Sequence, residues 1–316
     1  MALLTPAAAG ATARDVVTAR LTRRDRDVKG IVLLVLLLIA AGITMLVLFV
    51  LLSQIVIEAL PVFQEQGMDF VTGTIGSNPA EQGIFPGLYG SIFIGLGVVV
   101  VAIPLGVAAA IYLEEYASSR NFFTRMILVN IRNLAGVPAV IYGVLGLIIF
   151  VQWLDPVTSG ETVITAGLTM AVLVLPIVII TSMEAIRAVP QGLRDAGYGV
   201  GASRWEVTRD HVLPYAAPGI LTGTVLSIAR ALGEAAPLIL IGAITGLLPR
   251  TGLTENFTAL PILIFSWAGR PNTPGAEISW SNAAAAAGLV LLVLVLFFNA
   301  AAILLRNRFE KRRIGT

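Results

Sequence analysis

Residues 31–57 read IVLLVLLLIAAGITMLVLFVLLSQIVI, an apolar run without a single charged side chain. A helix advances about 1.5 Å per residue and the hydrocarbon core of a bilayer is about 30 Å thick, so about 20 such residues suffice to cross it. The run is longer than the apolar core of a typical secretory signal peptide, and no small-residue cleavage site follows it. We therefore expect a retained membrane helix and further spans elsewhere in the chain.

The chain as a whole has the composition of a membrane protein. Apolar residues make up 57% of its 316 positions and charged residues only 13%, well below the charged share of a soluble domain. Further stretches of membrane-spanning length lie at residues 88–113, 126–153, 163–183, 219–248 and 282–305. The predicted fold is all-α and polytopic, with six transmembrane helices. Residues 259–267 are too few to cross and predict an interfacial or re-entrant helix.

Lysine and arginine are concentrated in four of the segments that flank these stretches. They precede the first stretch, follow the last, and lie between the second and third and between the fourth and fifth: Arg14, Arg20, Arg23, Arg24, Arg26, Lys29, Arg306, Arg308, Lys311, Arg312, Arg313, Arg120, Arg125, Arg187, Arg194, Arg204 and Arg209. The other connections hold only Arg250 and Arg270. By the positive-inside rule, both termini face the cytoplasm. We predict a basic cytoplasmic segment over residues 1–30, a membrane domain over 31–306 and a cytoplasmic tail over 307–316.

Composition also excludes several kinds of catalytic and metal site. The chain has no cysteine and a single histidine, His211, which rules out disulfides, iron–sulfur clusters and cysteine-based zinc sites. It has no Gly-rich phosphate loop of the Walker type, so any ATP chemistry belongs to a separate polypeptide. His211 lies in a predicted cytoplasmic loop, which argues against a membrane-embedded hydrolase. We expect a chain without a catalytic site, a metal or a bound cofactor of its own.

The predicted cytoplasmic loop over residues 184–214 is long for a connection within a helical bundle. Pro190 can open a short helix, and Gly199 with Gly201 can end it by allowing positive φ. Residues at i, i+3, i+4 and i+7 would form one apolar face: Leu193, Ala196, Gly197 and Val200. The charged residues Arg194, Asp195, Arg204 and Glu206 remain for water or a partner. The pattern predicts a helix-turn-helix outside the membrane, and a merely solvated amphipathic loop is the alternative.

The fifth stretch is the one that carries charge within its apolar length. Counted from Gly219, Arg230 lies about 16 Å along the helix, near the bilayer midplane. Glu234 follows at i+4 on the same face, and Pro237 permits a bend because it has no N–H to donate. An arginine at that depth faces protein or a water-filled path. Its planar fork of donors suits a tetrahedral oxyanion, and a structural ion pair is the alternative.

The loop resembles a motif of a known family. It is similar to the EAA loop of ABC importer permeases. The matching string is Asp195-Ala196-Gly197, three residues, Gly201, nine residues, His211, one residue and Leu213-Pro214. The EAA pattern is Glu-Ala-Ala, three residues, Gly, nine residues, Ile, one residue, Leu-Pro. Asp195, Gly197 and His211 depart from it. The resemblance implies that Asp195, Ala196, Gly197, Gly201, Leu213 and Pro214 belong to a coupling helix that docks in a groove of a cytosolic ATPase.

Two further strings narrow the resemblance to permeases of the PstA type. Residues 229–238, ARALGEAAPL, are similar to the ARAxGExAPL segment of that family, and residues 134–143, LAGVPAVIYG, resemble its third-helix segment. The likeness covers the chain from about residue 27 to its end. It implies the MetI-like fold of type I ABC importer permeases, transport of inorganic phosphate, and Arg230 and Glu234 as residues of the substrate pathway.

The resemblance also implies an assembly. We expect as partners a homologous PstC-type permease, two PstB-type ATPase subunits that bind ATP and Mg²⁺, and an external PstS-type phosphate-binding protein. The expected location is a prokaryotic cytoplasmic membrane, and nucleic acid is not an expected partner. Two alternatives stay open. The same architecture can carry sulfate, molybdate or another solute, and an ion-coupled secondary transporter needs no ATPase partner.

Overall fold

The computed structural model describes residues 28–118, 121–244, 246, 251–272 and 274–314. Most of the predicted basic segment, residues 1–27, lies outside them, as does Arg120. The helices are α1 (Val28–Glu65), α2 (Phe85–Ile111), α3 (Phe122–Ala135), α4 (Ala139–Gly146), α5 (Val163–Arg187), α6 (Gln191–Gly199), α7 (Arg204–Val207), α8 (Leu213–Gly233), α9 (Ala236–Leu240), α10 (Leu260–Ala268) and α11 (Trp280–Ile314). π-Helical turns extend α2 to Tyr116, α4 to Trp153 and α7 to Val212, and shorter turns lie at Asp69–Thr72, Pro79–Glu81 and Asp155–Thr158.

The all-α fold is confirmed. Within the described residues, five helices are long and apolar enough to cross a membrane, and six when the bent pair α3 and α4 is taken as one span. The chain divides into two units, Met1–Ser53 and Gln54–Thr316. In the first unit, residues 28–53 are helical and carry a dense series of exposed aliphatic side chains, as a lipid-facing helix does.

Three apolar clusters hold the second unit together. One joins α2, α4, α5, α8 and α9, a second joins the end of α1 to α10 and α11, and a third joins the ends of α2 and α5 to α7 and the start of α8. Helices α2 and α5 approach closely at Gly97, where a Cβ would lie 3.2 Å from the Cα of Gly167. Small residues permit such approach in membrane bundles.

The third predicted stretch, residues 126–153, is divided between two helices. Helices α3 and α4 meet at a bend of 103°, because Pro138 has no N–H to donate and disfavours helical geometry at Val137. Pro138 has φ −55° and ψ 137° and stands just before α4. The Tyr142 hydroxyl donates a hydrogen bond to the carbonyl of Leu134 at 2.8 Å. Tyr142 therefore links the two halves across the bend.

The bounds of the fifth span also differ from the prediction. Helix α8 begins at Leu213, and together with α7 the span begins at Arg204 and ends at Gly233. Glu234 is extended, with φ −87° and ψ 120°, and Pro237 stands in the first turn of α9. The predicted bend near Pro237 is confirmed as a complete break of the helix. Counting apolar residues from Gly219 placed the start of the span too late, because α8 begins at Leu213, before the apolar run.

The short apolar stretch near residue 260 forms a helix, α10, as predicted. It has nine residues, too few to span a bilayer. Leu260, Leu263 and Trp267 are fully buried in the cluster with α1 and α11. The Ser91 hydroxyl of α2 accepts a hydrogen bond from the Leu260 N–H at 2.9 Å. One face of α10 is thus buried in the protein, while Phe265 on the same helix is 65% exposed.

Candidate functional site: a coupling segment and a helix break

The coupling segment, residues 184–214, folds as two short helices joined by a turn. Pro190 caps α6 in extended geometry, and Gly201, with φ of +86°, occupies the turn. Ser203 caps α7: its N–H and hydroxyl both donate to Glu206 Oε2 at 2.7 Å, and the Glu206 N–H bonds back to Ser203 Oγ. This reciprocal capping box holds the start of α7. The predicted helix-turn-helix is confirmed.

Two of the four residues predicted to form the apolar face of α6 pack inward, and the other two do not. Gly197 is buried and Leu193 is half-buried, but Ala196 is exposed and Val200 is 84% exposed. Tyr198 and Trp205 are also exposed, at 42% and 52%. We refer to these four side chains, Ala196, Tyr198, Val200 and Trp205, together as the docking face. Their exposure within one short segment makes them a candidate interaction surface.

Two of the three departures from the EAA pattern lie against each other. A Cβ at Gly197 would lie 2.8 Å from Val207 Cγ2 and 3.3 Å from His211 Cδ2. A larger residue at position 197 would therefore displace the α7 side of the segment. Gly197 thus packs the first half of the motif onto the second, which continues through Leu213 and Pro214 into α8. Asp195 is exposed and accepts a hydrogen bond from Gln191 Nε2 at 3.2 Å.

The prediction that Arg194 is available to water or a partner is wrong. Its guanidinium pairs with Glu115 at 2.9 Å and donates to the carbonyls of Ile186 and Val189. The side chain is only 12% exposed. Sequence reasoning missed Glu115 because the glutamate lies 79 positions earlier in the chain. The consecutive acidic residues Glu114 and Glu115, just after the second stretch, were the available signal.

The second part of the site is the helix break at residues 230–237. Arg230 lies in the last turn of α8, where a cation is favoured by the helix dipole. Its Nε is 3.5 Å from Glu234 Oε1, and the two side chains are 41% and 28% exposed. The predicted pairing is therefore present. The predicted 16 Å was counted from Gly219, whereas α8 begins at Leu213 and Arg230 lies near its far end.

The break in α8 adjoins the bend between α3 and α4. A Cβ at Gly143 would lie 2.7 Å from the Cα of Pro237 and 3.0 Å from its carbonyl oxygen, so α4 packs directly on the backbone of α9. The two strings 134–143 and 229–238 thus meet in the fold.

An exposed stripe on α8 leads to Arg230. Gly219, Thr222, Leu226 and Arg230 are all exposed and recur at helical spacing. An open cavity of about 640 Å³ lies beside this stripe, between α5, α8 and α11. Its lining includes the polar side chains of Thr181, Thr222 and Asn299. In the part of the chain that the structure describes, no group of three His, Cys, Asp or Glu side chains is placed to hold a metal ion.

We expect Tyr142→Phe to destabilise the protein by about 1 to 3 kcal/mol, because the Leu134 carbonyl then loses its donor in a part-buried position. Thermal denaturation of the detergent-purified protein measures the effect. Tyr89→Phe is the matched control, since the Tyr89 ring stacks on Phe93 with a centroid distance of 4.5 Å. Equal midpoints for the two variants would show that the hydrogen bond does not stabilise the bend.

Comparisons with known proteins agree that the chain is similar to membrane permeases of transport systems. Residues 102–315 match the family described as "Binding-protein-dependent transport system inner membrane component". The chain is 33% identical over 201 residues to the phosphate transport system permease protein PstA of Mycobacterium leprae. The aligned region covers 64% of this chain and 64% of that relative, less than two thirds of its length. With PstA of Haemophilus influenzae the identity is 30% over 217 residues, covering 69% and 75%.

A solved structure agrees at the level of the fold. A chain of a bacterial alginate ABC transporter, crystallised with an alginate pentasaccharide-bound periplasmic protein, superposes with a TM-score of 0.61 at 16% identity. The superposition covers 87% of this chain and 94% of that chain. At this identity the likeness concerns the arrangement of the helices and not the transported molecule.

Proposed function

The chain belongs to the family of binding-protein-dependent transport system inner membrane components, as a permease of the PstA type, and on this premise we propose that it imports inorganic phosphate as the membrane subunit of an ATP-driven transporter. The observation that carries the proposal is the coupling segment. Its EAA-like spacing coincides with a folded helix-turn-helix whose apolar and aromatic side chains are exposed.

The docking face is the surface that we assign to an ATPase partner. An amphipathic helix placed in a groove is a common mode of recognition, and Val200 and Trp205 are suited to fill apolar pockets. ATP and Mg²⁺ belong on that partner, two copies of which would serve the pair of permeases. Closure of the ATPase dimer would push α6, and alternating access of the membrane helices would follow.

The exposed stripe on α8 is the surface that we assign to the transport pathway. A second, homologous permease facing this stripe would enclose a path between the two chains. Arg230 at its end supplies a cationic fork that suits a phosphate oxyanion. Glu234 holds that fork between passages and releases it when phosphate arrives. An external phosphate-binding protein would deliver the anion to the end of the path that lies away from the coupling segment.

The proposal is tested by reconstituting the chain with a homologous permease, an ATPase and a phosphate-binding protein from the same organism. We expect the ATPase to co-purify after gentle solubilisation and the vesicles to take up labelled phosphate only with ATP. Uptake of sulfate or molybdate in preference to phosphate would assign another cargo. Uptake that needs an ion gradient and no ATPase would assign a secondary transporter and overturn the proposal.

The orientation of the chain gives a further prediction. Because the sequence has no cysteine, the single variants Val157→Cys and Val200→Cys each carry one thiol, at positions that are 76% and 84% exposed. A membrane-impermeant maleimide should label Val157→Cys in intact cells and Val200→Cys only in inside-out vesicles stripped of peripheral proteins. Labelling of both from the same side would contradict a cytoplasmic coupling segment.

A further inference from the structure

Three consecutive side chains at the end of α2 each engage an arginine of the coupling segment. They lie in the π-helical turn Tyr112–Tyr116. Glu114 pairs with Arg187, Glu115 pairs with Arg194, and the Tyr116 ring lies 5.1 Å from the Arg204 guanidinium. The arginines come from the end of α5, from α6 and from the start of α7. One turn of the second span therefore contacts every helix of the coupling segment.

The central pair differs from its neighbour in burial. The side chains of Glu115 and Arg194 are 6% and 12% exposed, whereas Arg187 in the Glu114 pair is 58% exposed. Both Nε and Nη2 of Arg194 donate to Glu115 Oε1, at 3.3 and 2.9 Å. A buried pair loses much of its hydration, so its net contribution to stability is small, but removal of one partner is costly.

The remaining donors of Arg194 reach the end of α5. Nη1 donates to the carbonyl of Val189 at 2.6 Å, and Nη2 donates to that of Ile186 at 2.9 Å. Val189 lies two residues beyond the end of α5, and its own N–H donates to the Ile186 carbonyl at 3.2 Å. Arg194 thus joins α6 to the ends of both α2 and α5, with the guanidinium orientation set by four hydrogen bonds.

The two helices that receive this contact are themselves closely packed. Besides the approach at Gly97 and Gly167, a Cβ at Gly106 would lie 2.6 Å from Val178 Cγ1. Close-packed interiors transmit displacement instead of absorbing it. A force on α6 is therefore passed to α2 and α5 as a pair, provided that Arg194 keeps its partners.

We propose that Glu115 is a positioning residue for transport: through Arg194 it holds the coupling helix α6 to the ends of α2 and α5, so that movement of α6 moves this helix pair. The proposal rests on the proposed function, since it concerns how work from the ATPase reaches the membrane helices. Glu115 itself contacts neither phosphate nor the ATPase in this role.

The test compares Glu115→Gln with Glu114→Gln in the reconstituted complex. We measure three quantities: the ATPase recovered with the permease, ATP hydrolysed, and phosphate imported. Glu115→Gln should raise the ATP hydrolysed per phosphate imported about tenfold, equivalent to about 1.4 kcal/mol of lost coupling, while Glu114→Gln should change it less than about twofold. A purely structural role would lower the amount of complex but leave this ratio unchanged, and that result would overturn the proposal.

A double-substitution cycle guards against misfolding of the single variant. If both residues act through one contact, Glu115→Gln combined with Arg194→Gln should raise the ratio no further than the larger single effect. Multiplication of the two single effects would contradict the shared contact. Absence of ATP-driven phosphate uptake in the wild-type complex would overturn the proposed function instead, so the two failures are distinguishable.

Discussion

We expect Arg230→Gln to lower phosphate uptake by roughly tenfold to a hundredfold while the assembled complex remains intact. A hydrogen bond to a charged group contributes about 1.5 to 3 kcal/mol, and each 1.4 kcal/mol is a factor of ten. Arg230 has the geometry for such a contact, because its side chain is 41% exposed and is joined to Glu234 only at 3.5 Å. Glutamine keeps the polar character and most of the length but not the charge.

The measurement is the initial rate of phosphate uptake, normalised to the permease present in the membrane. Arg230→Lys should have an intermediate effect, because the ammonium keeps the charge but lacks the planar fork. Arg125→Gln, an exposed position on α3, is the matched control and should leave uptake unchanged. Normal uptake by Arg230→Gln together with a lower melting temperature would identify the pair as a structural one that holds the end of α8 to Glu234.

The second large effect should follow from Val200→Asp on the docking face. Burial of a valine side chain in a partner's groove contributes about 1.5 kcal/mol or more, and an unpaired carboxylate in the same place is strongly disfavoured. Affinity for the ATPase should therefore fall by roughly a hundredfold or more. We expect little ATPase to co-purify with this variant and phosphate uptake to reach background.

Val157→Asp is the matched control for that experiment. Val157 is similarly exposed, at 76%. It lies before α5 and Val200 lies after it, so that a helix of 25 residues, about 37 Å long, separates the two positions along the chain. This control should retain the ATPase and transport phosphate normally. Retention of the ATPase by Val200→Asp as well would place the docking surface elsewhere on the chain.

Sequence reasoning paired Arg230 with Glu234 correctly but did not locate the start of the helix that carries Arg230. The i+4 spacing to Glu234 is a local property, and the ion pair is present even though Glu234 itself is extended. The depth of Arg230 depends on where the helix begins, and α8 starts at Leu213, in the last residues of the coupling motif. Hydropathy alone does not detect a helix that begins outside the apolar run.

The amino-acid sequence by itself determined the all-α membrane fold, the helix-turn-helix of the coupling segment and the pairing of Arg230 with Glu234, because apolar length, proline and glycine positions, and i+4 spacing act locally. Only the tertiary structure decided the meeting of the two helix breaks at Gly143 and Pro237 and the joining of Glu115 to Arg194. These contacts connect residues far apart in the chain. They depend on how complete helices pack against one another, which no local pattern specifies.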